Sequence, residues 1–223
     1  MEFETYSSPL QKLVLDRKPL SYSEEEIRNV RLRRDIAVLY AQVFADEPWN
    51  EKTRCVSCGA FSSEQGVCSA CGTRLVPAYP MKDMMEYFRS ELGKDNSVLA
   101  YAAEENDLPI AFAWGFPLSV EQFVDMKYKT ESMRNALRSL LIPVVGDSFF
   151  YFSECGVRPD QRKKGLASIL TNQMLNSAQS YGLPMVMRTN DRSPMVKIAQ
   201  RVGMDKLPYD DLENLQRVIF TRT

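Results

Sequence analysis

Hydrophobic positions in the first half of the chain recur every three or four residues, which is the spacing of one face of an α-helix. They predict an amphipathic helix over residues 23–45, and Ser23 with Glu26 forms the pattern of a capping box at its start. The same spacing predicts a second helix over residues 81–92, which Gly93 closes. Both helices carry an apolar face that needs a partner surface.

In the rest of the chain, short apolar and aromatic runs predict β-strands. Two such runs flank the polar turn at 105–107 and predict a hairpin. Further strands are predicted at 148–157, 184–190 and 217–223, and a weaker strand signal lies at 12–15.

Helices are predicted between these strands, at residues 119–141, 165–180 and 193–204, the last with Pro194 in its first turn. A hairpin followed by strand, helix, strand, helix and strand predicts an α/β fold, with a mixed, mostly antiparallel central sheet flanked by helices. We expect a single domain over residues 1–223.

Composition narrows the classes of function. The chain has 44% hydrophobic and 26% charged residues, a net charge of −1, and no apolar run long enough to span a membrane. The charge balance argues against nucleic acid as a partner. The first residues lack the pattern of a signal peptide, so we expect a cytoplasmic protein.

The sequence contains no histidine. A Ser-His-Asp or Cys-His hydrolase and a His-ligated metal centre are therefore excluded. Any acid or base in this protein must be Glu, Asp, Tyr, Lys, Cys or water.

Residues 52–77 form an inserted module with two copies of a Cys-x-x-Cys-Gly pattern. Two sulfurs separated by two residues can face one ion, and the glycines that follow, Gly59 and Gly72, permit the tight turn around it. Four thiolates predict a closed, structural Zn²⁺ site. The alternatives are disulfides or free thiols, and iron in the same ligand set. The four predicted ligands are Cys55, Cys58, Cys68 and Cys71.

A second motif lies between the strand at 148–157 and the helix at 165–180. The segment from Gln161 to Ala167 is rich in cations and places Gly165 at the start of the helix. The first amide groups of a helix have no internal acceptor, so they favour an anion such as a phosphate. The alternative interpretation is a solvated basic turn that caps the helix.

This loop resembles the pyrophosphate loop of the GNAT superfamily of acyl-CoA N-acyltransferases. The matching residues are Val157, Pro159, Arg162, Gly165 and Ala167. Residues 43–51 also resemble the family's turn after its first helix, and residues 188–204 resemble its last strand-helix unit. The resemblance covers about residues 25–54 and 78–207 and implies a GNAT-like fold.

The resemblance implies that acetyl-CoA binds with its pyrophosphate on backbone amides of the loop. The residues concerned are Arg162, Lys163, Lys164, Gly165, Leu166 and Ala167. The pantetheine would pair with the strand at Cys155 and Val157, and the backbone N–H of Cys155 would polarise the thioester carbonyl. A primary amine would then attack directly.

Two positions depart from the family pattern. The family's general acid, a tyrosine, corresponds to Ala199, and a glutamate base found in some members corresponds to Tyr151. Glu154 is the nearest acidic residue, and strand alternation turns it away from Tyr151 and Cys155 unless a bulge intervenes. Tyr151 and Glu154 are candidate bases, with core packing and a paired strand residue as the alternatives. The thiol of Cys155 is read as packing, with a nucleophile as the alternative.

The function predicted is therefore an N-acetyltransferase that moves an acetyl group from acetyl-CoA to a primary amine, on a small molecule, a protein or a peptide. One alternative is a GNAT-like protein with weak or lost catalysis, whose scaffold and zinc ribbon recognise a partner. Another is a nucleic-acid-associated zinc-ribbon protein, and the acidic pI counts against it. The module either extends the wall of the acceptor site or only staples a long loop. The sequence leaves open whether the protein forms a homodimer.

Overall fold

A computed structural model describes residues 13–17, 24–209 and 216–223 of the chain. The helices are α1 (Glu24–Phe44), α2 (Met81–Leu92), α3 (Val120–Lys127), α4 (Glu131–Val145), α5 (Leu166–Ser180) and α6 (Met195–Arg201). The strands are β1 (Leu13–Arg17), β2 (Thr53–Cys55), β3 (Phe61–Ser62), β4 (Leu75–Pro77), β5 (Val98–Ala103), β6 (Pro109–Ser119), β7 (Ser148–Val157), β8 (Met185–Asn190), β9 (Asp205–Lys206) and β10 (Arg217–Arg222).

The central sheet has seven strands in the order β1-β5-β6-β7-β8-β10-β9. Neighbouring strands are antiparallel except for β7 and β8, which run parallel and are connected through α5. A parallel pair requires such a crossover, whereas the antiparallel pair β5 and β6 is closed by a short turn. The sheet is therefore mixed and mostly antiparallel, as the sequence predicts.

Helices cover both faces of the sheet and bury two apolar cores. On one face, α1 to α4 pack against the sheet around Ile36, Phe88, Trp114, Phe123 and Leu137. On the other face, α5 and α6 pack around Phe150, Leu170, Met174, Ala199 and Phe220. No helix within the described residues is both long and apolar enough to cross a membrane.

Most helix boundaries agree with those predicted from the sequence, but one predicted helix is wrong. The helix predicted over 119–141 is two helices, α3 and α4, separated at Tyr128, whose backbone is extended. Tyr128 is buried, and its carbonyl accepts a hydrogen bond from Arg134 over 2.9 Å. This tertiary anchoring overrides the helical spacing of the sequence. The capping box predicted at Ser23 and Glu26 lies outside the residues whose side chains are described.

The cysteine-rich segment forms its own three-stranded sheet, in the order β3-β2-β4. Its buried apolar residues are Cys55, Cys68 and Leu75. The segment leaves and rejoins the main fold at neighbouring positions, since the amide of Ala78 donates to the carbonyl of Lys52 over 3.1 Å.

Candidate functional site

The strands β7 and β8 separate in the middle of the sheet. They pair only where Phe150–Phe152 faces Met185–Met187, although both strands continue beyond this point. Residues 153–157 therefore keep β6 as a neighbour on one side and face a gap on the other. Backbone N–H and C=O groups along such an open edge are available to a ligand.

The gap opens into a cavity of about 310 Å³. Its walls come from β7, β8 and α6, from α1 and the segment after it, and from β3 of the cysteine-rich segment. The charged residues that line it are Glu51, Lys127, Glu154, Arg188 and Arg217.

A β-bulge in β7 shapes the floor of this cavity. Trp114 of β6 pairs with Glu154, whereas the next residue, Gly115, pairs with Phe152, so Ser153 is the extra residue. A Cβ atom at Gly115 would lie 2.6 Å from the carbonyl oxygen of Tyr151. Only glycine therefore fits opposite the bulge, which ties this irregularity directly to the sequence.

The bulge reverses the alternation of side chains along β7. Tyr151 belongs to the core beneath α1 to α4, and Glu154 faces the same side, where it meets residues of α1 and α2. Cys155 packs against the core on the opposite face. Simple alternation would turn Glu154 away from Tyr151, and the bulge brings the two candidate bases together.

Glu154 is the acidic residue at the centre of the site. Its Oε1 atom accepts hydrogen bonds from the hydroxyls of Tyr87, over 3.2 Å, and Tyr40, over 3.4 Å. Burial raises the pKa of Glu154 to about 7, despite the opposing effect of nearby Lys127. A carboxylate with a pKa near neutrality is suited to accept a proton from an amine.

A second carboxylate, the partly buried Glu51, lies in the segment after α1. It accepts a hydrogen bond from the hydroxyl of Tyr79. Burial raises the pKa of Glu51, and this hydrogen bond and the positive charge of Arg217 act in the opposite direction. The guanidinium of Arg217 lies 4.9 Å from the ring centre of Trp49 at the same wall.

Tyr151 is only 2% exposed, and its ring packs against Phe116 and Phe123. Lys127 lies beside it, with Nζ 5.2 Å from the ring centre. Burial alone would lower the pKa of Lys127, but Tyr151 and the carboxylates of Glu154 and Glu91 outweigh it and the net shift is upward. Tyr151 is thus a core residue that also lines the cavity, and its role as a base stays a prediction.

The thiol of Cys155 is a poor nucleophile in this environment. Burial, with a smaller contribution from Glu154, raises its pKa to about 12. The thiolate is the reactive form of cysteine, and it is disfavoured here. The backbone of Cys155 lies on the part of β7 that β8 leaves unpaired.

The cationic loop opens α5 with an unusual backbone. Lys163 and Gly165 both have left-handed conformations, with φ of 66° and 83°. In the described part of the chain, the amides of residues 163–167 have no backbone acceptor, and no side chain caps α5. A run of outward-facing amides at a helix N-terminus is a binding site for an anion.

Arg162 fastens this loop to α1. Its guanidinium donates to the carboxylate of Asp46 over 2.9 Å and to the carbonyl of Glu47 over 3.1 Å. The backbone amide of Arg162 donates to the carbonyl of Pro159. The remaining predicted residues, Val157, Lys163, Lys164, Leu166 and Ala167, lie along the same strand, loop and helix start. Lys164 extends across the loop to Gln161.

Ala199 lies on α6 and is fully buried in the core. The tyrosine that the family resemblance places here is replaced by a small packing residue. The tyrosines that line the cavity are instead Tyr40, Tyr79 and Tyr151.

Several residues of the site are missed by the sequence analysis. Tyr40 and Tyr87 belong to helices whose spacing identifies them only as apolar positions, and Lys127 and Arg217 carry no local motif. These residues come together only when the chain folds. Tyr40, for example, contacts Glu154 although the two are 114 positions apart in the sequence.

The four cysteines of the inserted segment converge on one point. Their sulfur atoms all lie within 4.8 Å of one another, with Cys55 and Cys71 at 3.4 Å and Cys58 at 3.7 Å from both Cys68 and Cys71. Sulfurs around a tetrahedral zinc ion lie about 3.8 Å apart, whereas a disulfide is about 2.05 Å long. All four cysteines are free. The donor set fits one tetrahedral metal ion.

The two cysteine turns have the same backbone geometry. In each, the glycine after the second cysteine is left-handed, with φ of 75° at Gly59 and 69° at Gly72. Each glycine amide donates to the carbonyl of the first cysteine of its turn, over 3.1 Å and 2.8 Å. The sequence repeat is therefore also a structural repeat, as expected for two metal-binding turns.

Comparisons with known proteins bear on the fold. No family model and no curated protein matches the sequence. Among solved structures, the polyamine N-acetyltransferase of Drosophila melanogaster aligns with a TM-score of 0.54 at 13% identity, covering 94% of this chain and 99% of that one. An agmatine N-acetyltransferase mutant aligns with a TM-score of 0.56 at 12% identity, covering 94% and 98%.

Arylalkylamine N-acetyltransferase 2 from Aedes aegypti is a third similar structure, with a TM-score of 0.53 and 16% identity over 96% of this chain and 99% of that one. At sequence identities this low, the similarity supports a shared architecture and not a shared substrate. The fold of this chain is therefore the one found in these N-acetyltransferases, and the GNAT-like fold class predicted from the sequence is confirmed.

Proposed function

We propose that this protein is a GNAT-type N-acetyltransferase that transfers an acetyl group from acetyl-CoA to a primary amine. The observation that carries the proposal is the position of Glu154, a partly buried carboxylate that lines the cavity where β7 and β8 separate and has a pKa of about 7. The shared architecture and the amide-lined loop support it.

In this proposal, the pyrophosphate of acetyl-CoA binds the amides of residues 163–167 at the start of α5. The pantetheine enters the gap along the open edge of β7, and the thioester lies near Cys155 and the cavity. The positive charges of Lys163 and Lys164 add an electrostatic attraction for the pyrophosphate of acetyl-CoA.

The acceptor amine enters from the opposite side of the gap. Glu154 takes a proton from the ammonium form, directly or through water, and the neutral nitrogen attacks the thioester carbon. The new C–N bond forms, the C–S bond breaks, and a backbone N–H at Cys155 stabilises the negative charge on the oxygen. Coenzyme A leaves as a thiolate. The attacking nitrogen loses its second proton, which passes through water or a cavity tyrosine to this thiolate because Ala199 carries no acid, and Glu154 returns its own proton to solvent.

The first experiment measures acetyl-CoA binding by calorimetry and acetyl transfer to a panel of amines and peptides by mass spectrometry. Gly165→Trp places an indole over the amide cradle, so we expect it to abolish acetyl-CoA binding. Gly182→Trp is the matched control, because Gly182 is also left-handed with open space around it and lies at the other end of α5. Equal binding by the two variants would remove the phosphate-loop assignment.

The second candidate function is partner recognition with weak or absent catalysis, which the alanine at position 199 favours. Acetyl-CoA binding without transfer to any amine or peptide would support this candidate. Transfer that depends on Glu154 would exclude it.

We also propose that Cys55, Cys58, Cys68 and Cys71 hold one structural Zn²⁺ ion. All four positions of a tetrahedron are then occupied by thiolates, which leaves no position for substrate or water. The ion would therefore fold the segment and take no direct part in the transfer.

A further inference from the structure

The cysteine-rich segment reaches the cavity through one side chain. Phe61 of β3 lines the cavity, although it belongs to the separate three-stranded sheet. Its ring stacks on that of Tyr79, with centres 6.1 Å apart and planes 25° apart. With 47% of its surface exposed, Phe61 has a free face for a further apolar contact.

A series of ring contacts connects Phe61 to the centre of the site. Tyr79 meets Tyr40 edge to face, at 5.1 Å between ring centres, and Tyr40 donates its hydroxyl to Glu154. The hydroxyl of Tyr79 is bound to Glu51. The wall therefore presents aromatic surface along its length, with one carboxylate at its middle and another at its inner end.

The position of Phe61 depends on the first cysteine turn. The amide of Cys55 binds the carbonyl of Ala60, the residue before Phe61, over 2.9 Å. Phe61 then pairs with Arg54, in a strand of two residues. Such a short strand has no stability of its own, and the buried apolar residues of this sheet number only three. A metal ion held by Cys55, Cys58, Cys68 and Cys71 would supply the missing constraint.

We propose that the metal-bound cysteine segment forms one wall of the acceptor pocket, and that Phe61 selects primary amines that carry an aromatic or apolar group. The aromatic surface contacts that group while the carboxylates receive the amine. This inference rests on the proposed function, because it assigns the acceptor class of the same site. The segment then has a role in specificity beyond closing a long loop.

The transfer experiment compares Phe61→Ala with Val67→Ala, using 2-phenylethylamine and putrescine as acceptors. Val67 is an exposed apolar residue of the same segment, 67% exposed, and it does not line the cavity. We expect Phe61→Ala to raise the KM for 2-phenylethylamine about tenfold, as the loss of a half-buried aromatic contact implies. The KM for putrescine and the affinity for acetyl-CoA should change little.

Val67→Ala should leave all these values unchanged. An unchanged KM for 2-phenylethylamine in Phe61→Ala would overturn the inference. An equal rise in Val67→Ala would also overturn it, because the effect would then be one of folding and not of contact.

A second measurement does not require activity. The full chain carries 4-fluorophenylalanine at position 61, or at the core position Phe149 as the control, and is observed by fluorine NMR with bound zinc and after chelation. We expect zinc removal, and separately Tyr79→Leu, to move the resonance at position 61 and leave that at 149 in place. A resonance at 61 that responds to neither change overturns the inference.

These two measurements separate the two proposals. If the wild-type chain transfers acetyl to neither amine, the proposed function fails for these acceptors, and the fluorine resonance alone decides whether the metal-bound segment forms the wall. If transfer occurs and Phe61→Ala has no effect, the proposed function stands and the assignment of the wall fails.

Discussion

At the scale of single residues, the carboxylate of Glu154 is subject to two opposing requirements. The proposed role as a base needs it ionised in the cavity, whereas its burial disfavours the ionised form. The hydrogen bonds from Tyr40 and Tyr87 and the positive charge of Lys127 keep the ionised form accessible near neutral pH. Removing the carboxylate should therefore affect activity and stability in opposite directions.

We expect Glu154→Gln to lower kcat about 100-fold, at the lower end of the range for loss of a general base. The wild-type rate should rise with pH and level off above about pH 7, where Glu154 is deprotonated. The variant should lose this limb of the profile. The control is Glu86→Gln, an exposed position of α2. A variant that keeps both the rate and the pH dependence would exclude Glu154 as the base.

The same substitution should stabilise the protein at alkaline pH. Between about pH 4 and pH 7 an unfolded glutamate loses its proton while the partly buried Glu154 keeps it, so this residue's contribution to folding stability falls as the pH rises through that window. The full loss is about 3 kcal/mol. Urea unfolding should show a gain for Glu154→Gln that is larger at pH 8 than at pH 4; a gain independent of pH contradicts the assignment.

The sequence identifies Glu154 as a candidate base, but it does not predict on which face of the sheet the side chain lies. The bulge follows from Gly115 on the neighbouring strand, and a strand read in isolation contains no information on which residue is opposite. The contacts from Tyr40 and Tyr87 join positions far apart in the chain, and each residue follows a helical spacing that is equally typical of core packing.

At the scale of elements, the loop between β7 and α5 is held from outside by Arg162. This side chain connects the loop to Asp46 and Glu47 just after α1, so the backbone that we propose binds the pyrophosphate is tied to the segment that lines the cavity. The sequence predicts the loop because its residues are contiguous and because Gly165 marks the start of a helix whose first amides favour an anion. It does not predict that Arg162 serves as the anchor, since the partner lies 116 positions away.

We expect Arg162→Ala to weaken acetyl-CoA binding about tenfold through disorder of the loop, as the loss of hydrogen bonds to a charged group implies. Calorimetry of the free chain with acetyl-CoA measures it. Arg138→Ala is the control, because Arg138 forms surface ion pairs on α4 with Glu121 and Glu131. Equal affinities for both variants would show that the loop keeps its shape without the anchor.

At the scale of the whole molecule, the chain contains two cores on the sheet and a third, very small one in the cysteine segment. The sequence indicates the inserted segment, because the cysteine spacing is local and the composition changes at its boundaries. It does not predict that Phe61 reaches the cavity, because that contact depends on how the segment is oriented on the sheet.

We expect replacement of Cys58 and Cys71 together by serine to remove one equivalent of zinc and leave the unfolding of the main sheet within a few degrees of wild type. The third core is separate, so its loss removes few contacts from the other two. Elemental analysis and thermal unfolding by circular dichroism measure the two effects. Cys155→Ser should keep its zinc, because Cys155 is outside the cluster. Unchanged zinc in the double variant would refute the four-cysteine site.

The joined ends of the cysteine segment have an evolutionary consequence. Because the chain leaves at Lys52 and returns at Ala78 across a single hydrogen bond, an insertion here can be gained, lost or exchanged without shifting any strand of the main sheet. Under the proposed function, the transfer chemistry and the choice of acceptor can then diverge independently, because the insertion contributes Phe61 to the cavity and no strand to the main sheet.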